Sequence, residues 1–405
     1  MPEVLKVNSC SGIFLVFGGF PTTVIESQVL VPVKSLAGLG INMDVWSFAF
    51  GRAQHQDASR TLQSLKDAFP SITIRLFRGV RSGVPFSDWI NALLLAWRIR
   101  RLTRGLNFVH ARTEYAASVA ATAKSLGKYR VVWDDRGDSM SEFCEYAQNL
   151  SGVRKWRVKS VSKVISRRLR IASQASDAAI FVSEELQKLH NPQLPMEKTL
   201  IVPCAADESL FYFDTALRRE ARAAFGYSDK ENVIVYVGSA AVWQCVPETI
   251  SLLTQALETD PSVRAFVITP DRQVFASAFP AALSDRVHIA AGRLHEMNRY
   301  LNAADFGVML KMPGSISRVA SPVKFAEYSL AGLRVITSGT VQQVEEIGRE
   351  LGNTVSTDLL LQKCLRRSNQ PLETGDRAAL AERARAVLGR QRYTEAMASL
   401  YRKLI

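Results

Sequence analysis

A lysine and a glutamate three residues apart stand at the start of a predicted helix in the second half of the chain. The preceding Ser321 and Pro322 are favoured at an N-cap and a first helical position, and Gly332 is typical of a helix end. Lys324 and Glu327 therefore share one helix face near an N-terminus of partial positive charge. A cation, backbone N–H groups and a carboxylate could together hold a nucleotide diphosphate and its ribose. An ordinary capped helix with an i,i+3 ion pair accounts for the same spacing.

A second group of charged residues follows predicted strands in the first half of the chain. Asp134 and Arg136 come directly after the strand predicted over residues 129–133, and His110 ends the one predicted over residues 107–111. Open α/β sheets bind ligands at the carboxyl ends of their strands. These side chains are therefore candidates for chemistry. The alternative is a solvated turn held by an Asp–Arg pair, beside a structural histidine.

Two turns contain glycine directly after predicted strands. Gly18 and Gly19 follow the strand predicted over residues 13–17, and Gly238 and Ser239 follow a strand in the second half. Glycine lets a backbone approach a phosphate closely. Such turns also need glycine for geometry alone, so both explanations stay open.

The sequence EYSLAGLRVITS around Glu327 resembles the donor-binding signature of retaining glycosyltransferases of family 4, which have the GT-B fold. That signature has two glutamates separated by seven residues, and the second binds the ribose hydroxyls of the nucleotide sugar. Glu327 matches the second glutamate, whereas Val319 stands in place of the first. Ser321, Pro322 and Lys324 match a sub-pattern of the family in which Ser-Pro-x-Lys replaces that half. The resemblance implies that Glu327 holds a ribose.

Other parts of the chain resemble the same family less specifically. Gln28 lies in a segment similar to the family's first helix, which we expect over residues 24–39. His110 matches a histidine at the end of a strand, and Asp134 begins the Asp-x-Arg-Gly pattern of one subgroup. At the crossing between the domains, Asp207 matches the family.

The loop after Gly238 departs most from the family. There the family supplies an arginine and a lysine to the diphosphate, but this chain has SAAVWQC. We expect Lys311, Arg318 or Lys324 to supply the missing charge. The glycine, serine and arginine content of the segment 311–320 suits a loop that wraps a phosphate, and an ordinary surface loop is the alternative.

The composition is that of a globular chain. Its 405 residues are 47% hydrophobic and 22% charged, which is enough for two domains with separate cores. The sequence has no apolar run of roughly 18 residues, and residues 12–20 predict a core strand rather than a signal peptide. Five scattered cysteines indicate a reducing cytoplasm, without a disulfide framework or a metal site. We expect no resident cofactor.

The net charge of +13 indicates an anionic partner. Residues 153–170 predict a basic amphipathic helix, which suits the surface of a membrane with anionic lipids. A surface helix packed on its own sheet is the alternative. The chain has no recognisable nucleic-acid motif, so we expect no nucleic acid partner. A second basic cluster could extend the positive surface and comprises Arg98, Arg100, Arg101 and Arg104.

Strands alternating with helices in two halves predict two doubly wound, Rossmann-like α/β domains facing a cleft, which is the GT-B arrangement. We assign residues 1–203 to an acceptor-side domain and residues 204–389 to a nucleotide-sugar domain. The last helix, at about residues 390–405, is expected to pack back on the first domain.

The resemblance implies a retaining, metal-independent glycosyltransferase of the hexosyltransferase type. It would move a sugar from a nucleoside diphosphate sugar to a glycan or lipid-linked acceptor in bacterial surface polysaccharide biosynthesis. It would be cytoplasmic or bound to the inner face of the cell membrane. Two alternatives stay open: a nucleotide-sugar 2-epimerase of the same fold, and a non-catalytic nucleotide- or nucleic-acid-binding protein. The expected catalytic residues are Asp134, Arg136 and His110, and the expected donor-binding residues are Glu327, Lys324, Ser321, Arg318, Gly238, Ser239, Gly18 and Gly19.

Overall fold

The structure, a computed structural model, describes two compact units. The described residues are 10–20, 25–148, 158–190, 195–203, 205–241, 244–357 and 374–405. The N-terminal unit comprises Met1–Val202 with Tyr393–Ile405, and the C-terminal unit comprises Pro203–Arg392. Each unit has a hydrophobic core around its own sheet.

The N-terminal unit is a single parallel sheet with connecting helices. Its strands run in the order β3-β2-β1-β4-β5-β6-β7, so the chain winds outward from β1 in both directions, as in doubly wound folds. The strands are β1 (Cys10–Phe17), β2 (Ile41–Phe50), β3 (Ile74–Gly79), β4 (Phe108–Arg112), β5 (Arg130–Asp135), β6 (Ala178–Phe181) and β7 (Thr199–Ile201). The helices are α1 (Val31–Ala37), α2 (Gly51–Ala68), α3 (Ser87–Leu102), α4 (Thr113–Lys124), α5 (Ser139–Gln148), α6 (Val158–Ala175) and α7 (Glu184–His190), with a π-helical turn at Glu26–Leu30 and a 3-10 turn at Met196–Lys198.

The C-terminal unit repeats this plan with the strand order β10-β9-β8-β11-β12-β13. Its strands are β8 (Asn232–Val237), β9 (Val263–Ile268), β10 (Val287–Ala290), β11 (Phe306–Met309), β12 (Arg334–Thr337) and β13 (Thr354–Ser356). The helices are α8 (Thr215–Phe225), α9 (Val246–Thr259), α10 (Arg272–Ala276), α11 (Met297–Ala303), α12 (Ser315–Val319), α13 (Val323–Leu330), α14 (Gln342–Leu351) and α15 (Thr374–Leu388), with 3-10 turns at Ala281–Arg286 and Leu294–Glu296. The last helix, α16 (Arg390–Lys403), begins in this unit and belongs to the N-terminal unit from Tyr393 onward. The prediction of two parallel, doubly wound α/β domains is confirmed.

The sheets are hydrophobic because helices cover both of their faces. Val131, Val132 and Trp133 in β5 are all fully buried. The last helix, α16, contributes Tyr401 to the core of the N-terminal unit, where its ring stacks on Phe108 with centroids 4.5 Å apart. Within the described ranges, no helix is both long and apolar enough to cross a membrane.

Several element boundaries differ from the sequence predictions. The strand predicted over residues 129–133 continues through Asp134 and Asp135, which pair with Ile180 and Phe181 of β6. From the sequence we expect Asp134 directly after the strand, and its burial within the strand is possible because Arg136, His110 and Arg112 compensate its charge.

Two corrections concern the segment before α13. Pro322, and not Ser321, occupies the N-cap position, since the first helical residue is Val323. The segment 311–320 is not wholly a loop, because it contains the short helix α12. In the first helical segment, the residues from Ile25 onward are helical as far as Ala37, and residue 24 lies outside the described residues.

A buried ionic cluster anchors β11 in the C-terminal unit. Asp305 lies 2.6 Å from Arg218, 3.2 Å from Arg222 and 3.5 Å from Arg377, and it also accepts the backbone N–H of Val233. Burial alone would raise the pKa of Asp305, but the three guanidinium groups lower it. One carboxylate therefore ties the helices α8 and α15 to two neighbouring strands.

Removing this carboxylate should leave three arginines without their shared anion. We expect Asp305→Ala to lower the free energy of unfolding of the C-terminal unit by about 3–5 kcal/mol in urea denaturation. The control is Asp57→Ala, whose side chain is 70% exposed beside Arg60 and should change nothing measurable. Equal small effects of the two variants would contradict the anchoring role.

Candidate functional site

A lysine in the C-terminal unit occupies space that a glycine leaves open at the carboxyl end of β8. A Cβ atom on Gly238 would lie 2.6 Å from Lys324 Nζ and 2.8 Å from the Tyr236 hydroxyl. Lys324 Nζ donates a hydrogen bond to Gln244 Oε1 at 2.8 Å and lies 5.3 Å from the centre of the Tyr236 ring. The sequence allowed an ion pair with Glu327, but the hydrogen bond that Nζ makes is to a neutral amide.

The charges of this group are poorly solvated. Burial lowers the pKa of Lys324 to about 8; the charge of Lys311 acts in the same direction and that of Glu327 opposes it. Burial also lowers the pKa of Lys311. Burial raises the pKa of Glu327 to about 7, against the attraction of Lys324 and Arg390. An anion placed beside the two lysines would restore the solvation that their ammonium groups lose.

The other predicted donor residues of this unit are Ser239, Ser321 and Arg318. The Ser239 carbonyl accepts a hydrogen bond from the Tyr236 hydroxyl at 3.0 Å, so Ser239 belongs to the same group. Ser321 is half-buried and directly precedes Pro322, the N-cap residue of α13. Arg318 is exposed on α12. Of the three cations proposed to replace the missing pair, Lys311 is the one whose charge lowers the pKa of Lys324.

Sequence reasoning missed three residues of this group. Tyr236 was counted only as part of an apolar strand. Gln244 carries no charge, so the pattern of charged residues did not indicate it. Arg390 influences Glu327 from the far end of the chain, and no local pattern marks such a pair.

In the N-terminal unit, Asp134 is the common partner of three basic groups. Its carboxylate lies 2.8 Å from Arg136 Nε, 3.2 Å from His110 Nε2 and 3.8 Å from Arg112 Nη1. Burial alone would raise the pKa of Asp134, but Arg136, His110 and Arg112 together hold it well below its usual range. Asp134 is therefore ionised at every pH at which the protein would work.

His110 links this carboxylate to the last helix. Its Nδ1 atom lies 2.8 Å from the Tyr401 hydroxyl, and its ring lies 4.2 Å from that of Phe14. The Asp134 carboxylate and the Tyr401 hydroxyl therefore lie beside opposite nitrogens of the imidazole ring. The side chains of His110, Asp134 and Tyr401 are all buried.

Of the predicted catalytic residues, only Arg136 reaches the surface. The side chains of Arg136 and of the neighbouring Arg112 are 16% and 14% exposed to solvent, whereas those of His110 and Asp134 are 1% exposed or less. The buried pair can thus orient the arginines but cannot touch a ligand. Arg112 and Tyr401 were missed, since their partners are distant in sequence.

A second set of buried acidic residues lies at the same carboxyl ends of the strands. His190 Nδ1 lies 2.5 Å from Asp135, and Glu114 is buried at the start of α4. Burial raises the pKa of Asp135 to about 6, although His190 lowers it. Thr113 precedes Glu114 with a φ of 75°, an uncommon conformation for a β-branched residue. Strained backbone of this kind concentrates at functional sites.

The glycine turn after β1 has a geometric cause. Gly18 and Gly19 have φ values of 100° and 84°, which favour glycine. The Gly18 N–H donates to the Phe48 carbonyl at 2.9 Å, and the Gly19 carbonyl accepts from Ser47 at 2.9 Å. The turn and Asp134 both lie at the carboxyl ends of strands in this sheet. Contact of the turn with a phosphate stays a prediction.

In the part of the chain that the structure describes, no three His, Cys, Asp or Glu side chains are grouped to hold a metal ion.

Known proteins resemble this chain in structure rather than in sequence. No protein-family model matches the sequence, and no curated protein sequence matches it. HepE from Anabaena, solved with UDP, is 14% identical over 96% of this chain and 100% of its own, with a TM-score of 0.66. Sucrose-phosphate synthase from Thermosynechococcus elongatus is 15% identical over 98% and 99%, with a TM-score of 0.65. WaaG, a glycosyltransferase involved in lipopolysaccharide biosynthesis, is 16% identical over 96% and 99%, with a TM-score of 0.62.

Identities this low establish the fold alone. The predicted fold class, two Rossmann-like domains of the GT-B type, is confirmed. Membership of family 4 stays a prediction.

The half-buried charge of Lys324 should cost stability in a pH-dependent way. Because its folded pKa of about 8 lies below the ordinary 10.5, the folded state binds fewer protons between these values. The cost is complete below about pH 8 and disappears above about pH 10. We expect Lys324→Met to raise the free energy of unfolding by about 1–2 kcal/mol near pH 7, after allowance for partial exposure, and to have little effect above about pH 10.

Urea denaturation at the two pH values measures this effect. Lys66→Met, at an exposed lysine of α2, is the matched control and should change neither value. If Lys324→Met were destabilising at neutral pH, the contacts of the lysine would outweigh its burial, contrary to this account.

Proposed function

We propose that this chain is a glycosyltransferase whose donor, a nucleoside diphosphate sugar, binds the C-terminal unit. The observation that carries the proposal is the poorly solvated ammonium group of Lys324, beside Gly238 at the carboxyl end of β8 and one helical turn from Glu327. Parallel α/β sheets bind ligands at this edge. The UDP found in the structure of HepE supports the choice of ligand class.

Each donor group has a separate role in this proposal. Lys324 and Lys311 hold the diphosphate, together with the backbone at Gly238 and Ser239. Ser321 and the N-terminal N–H groups of α13 extend the same cradle. Glu327 accepts hydrogen bonds from the ribose hydroxyls. The diphosphate would also favour the charged form of Lys324, because an anion raises the pKa of a buried lysine.

The chemistry is a displacement at the anomeric carbon with retention of configuration. The bond from that carbon to the diphosphate oxygen breaks, a bond to the acceptor oxygen forms on the same face, and the acceptor proton leaves with the diphosphate. The lysines and backbone N–H groups stabilise the charge that develops on the leaving diphosphate. Since these residues supply the positive charge, the proposal includes transfer without a metal ion.

The N-terminal unit would serve the acceptor. Arg112 and Arg136 are fixed by Asp134 at the carboxyl ends of β4 and β5 and remain partly exposed. Two fixed guanidinium groups suit a phosphate or carboxylate. The acceptor would then be an anionic glycan or a lipid-linked glycan, and the reaction would belong to bacterial surface polysaccharide biosynthesis, at the inner face of the cell membrane.

Calorimetric titration with UDP-, GDP- and ADP-sugars tests the donor site. We expect one of these donors to bind, Lys324→Met and Glu327→Gln each to weaken it roughly tenfold or more, and Lys66→Met to bind normally. Glu327→Gln should also bind the deoxyribose analogue of the donor nearly as well as the ribose form. Arg318→Gln should matter less, because Arg318 is exposed. The donor site would be wrong if no nucleotide sugar bound or if both site variants bound like the wild type.

The acceptor side should affect transfer but not donor binding. Arg136→Gln is expected to reduce transfer to an anionic acceptor at least roughly tenfold while leaving donor affinity unchanged. Arg130→Gln is the matched control, because Arg130 lies at the opposite end of β5 beside Asp177. Loss of donor affinity in Arg136→Gln, or equal transfer by both variants, would contradict the assignment. Conversion of the donor alone into another sugar nucleotide would favour an epimerase instead.

A further inference from the structure

One face of α3 exposes an aromatic stripe to solvent. Trp89, Leu93 and Trp97 recur every four residues, so they lie on one side of the helix, and they are 58%, 37% and 51% exposed. Phe86, at the N-cap position just before the helix, is 81% exposed. The opposite side packs into the unit through small and apolar residues, among them Ala92, Leu95, Ala96 and Ile99. Single exposed apolar residues are common, but a continuous stripe with two tryptophans marks an interaction surface.

Arginines continue this stripe toward the end of the helix. Arg100, Arg101 and Arg104 are exposed in the next turn and just beyond it. The Arg101 guanidinium lies 5.4 Å from the centre of the Trp97 ring, so aromatic and cationic groups form one surface.

The basic helix predicted from the sequence lies beside α3. Its residues 153–157 lie outside the described residues, and the rest forms α6. Arg168 of α6 lies 2.6 Å from Asp88 of α3 and 4.2 Å from the centre of the Tyr115 ring. Helix α6 has no acidic residue, and its exposed cations are Lys159, Lys163, Arg167 and Arg170.

We infer that the α3 face docks on a membrane surface that contains anionic phospholipids. Tryptophan and phenylalanine are suited to the boundary between headgroups and acyl chains, and the arginines and lysines around them match the negative charge of the lipids. A partner protein could cover the aromatic residues, but cations on both helices and no acid in α6 favour an extended anionic surface. The interaction goes beyond the proposed transferase activity, because it uses none of the donor-binding residues.

The position of the stripe fits such an interaction. Helix α3 begins after the carboxyl end of β3. Phe86 and Trp89, at the start of the helix, therefore lie toward the carboxyl ends of the strands, where Asp134 and Arg136 also lie. If the proposed function holds, an acceptor borne on a lipid would present its headgroup near that edge. This position of the acceptor rests on the proposed function, whereas the docking itself does not.

Sedimentation of the full chain with lipid vesicles tests the inference. The probes are vesicles of phosphatidylcholine alone and of phosphatidylcholine with phosphatidylglycerol. We expect binding to the mixed vesicles only, with a blue shift of tryptophan emission. Trp89→Ser with Trp97→Ser should abolish the shift and weaken binding roughly tenfold or more. Arg100→Gln with Arg101→Gln should weaken binding by a similar factor.

Matched variants elsewhere in the chain test whether vesicle binding depends on this face of α3 or only on net charge and on exposed aromatic residues in general. Arg52→Gln with Lys66→Gln removes the same charge from the exposed surface of α2, and Tyr212→Ser removes an exposed aromatic residue of the C-terminal unit. Both controls should bind like the wild type. Equal losses in the α2 variant, or self-association that the tryptophan variant abolishes without any vesicle binding, would overturn the inference. Donor affinity measured on the same variants distinguishes this failure from failure of the proposed function.

Discussion

Buried charge has to be compensated, and the structure of both units is arranged around this constraint. Asp305 is buried among three arginines, and Asp134 is buried among two arginines and a histidine. In both cases the electrostatic gain exceeds the cost of burial, because the pKa of each carboxyl is lowered. Such clusters fix helices and loops to the ends of strands.

Lys324 is the contrasting case. Its hydrogen-bond partner is the neutral amide of Gln244, and its pKa is lowered by burial and by a second lysine. A fold selected only for stability would avoid this arrangement. Residues that lower the stability of the folded chain are retained where function requires them. The incomplete compensation at Lys324 is therefore our reason for proposing that an anionic ligand binds there.

The sequence predicted what local patterns can encode. The run from Ser321 to Gly332 predicts a helix with Lys324 and Glu327 on one face, and the structure contains that helix one residue later than expected. The alternation of strands and helices also predicted both sheets. The burial of Asp134 within β5 was not predicted, because His110 and Arg112, which help to compensate its charge, are distant in sequence.

The exposed face of α3 also could not be predicted from the sequence. Apolar residues occupy both sides of this helix, so their pattern predicts burial without telling which side the sheet covers. Only the contact of Asp88 with Arg168 and the packing of Ala92 and Leu95 settle the orientation. Trp89 and Trp97 are then left on the outer side.

The central claim is that Lys324 and Glu327 bind a nucleotide sugar. A structure of the full chain determined with its donor bound tests this claim most directly. The account predicts diphosphate oxygens at hydrogen-bond distance, about 3 Å, from Lys324 Nζ, and ribose hydroxyls on the Glu327 carboxylate. A nucleotide bound elsewhere, or bound here with both side chains turned away from it, would contradict the account.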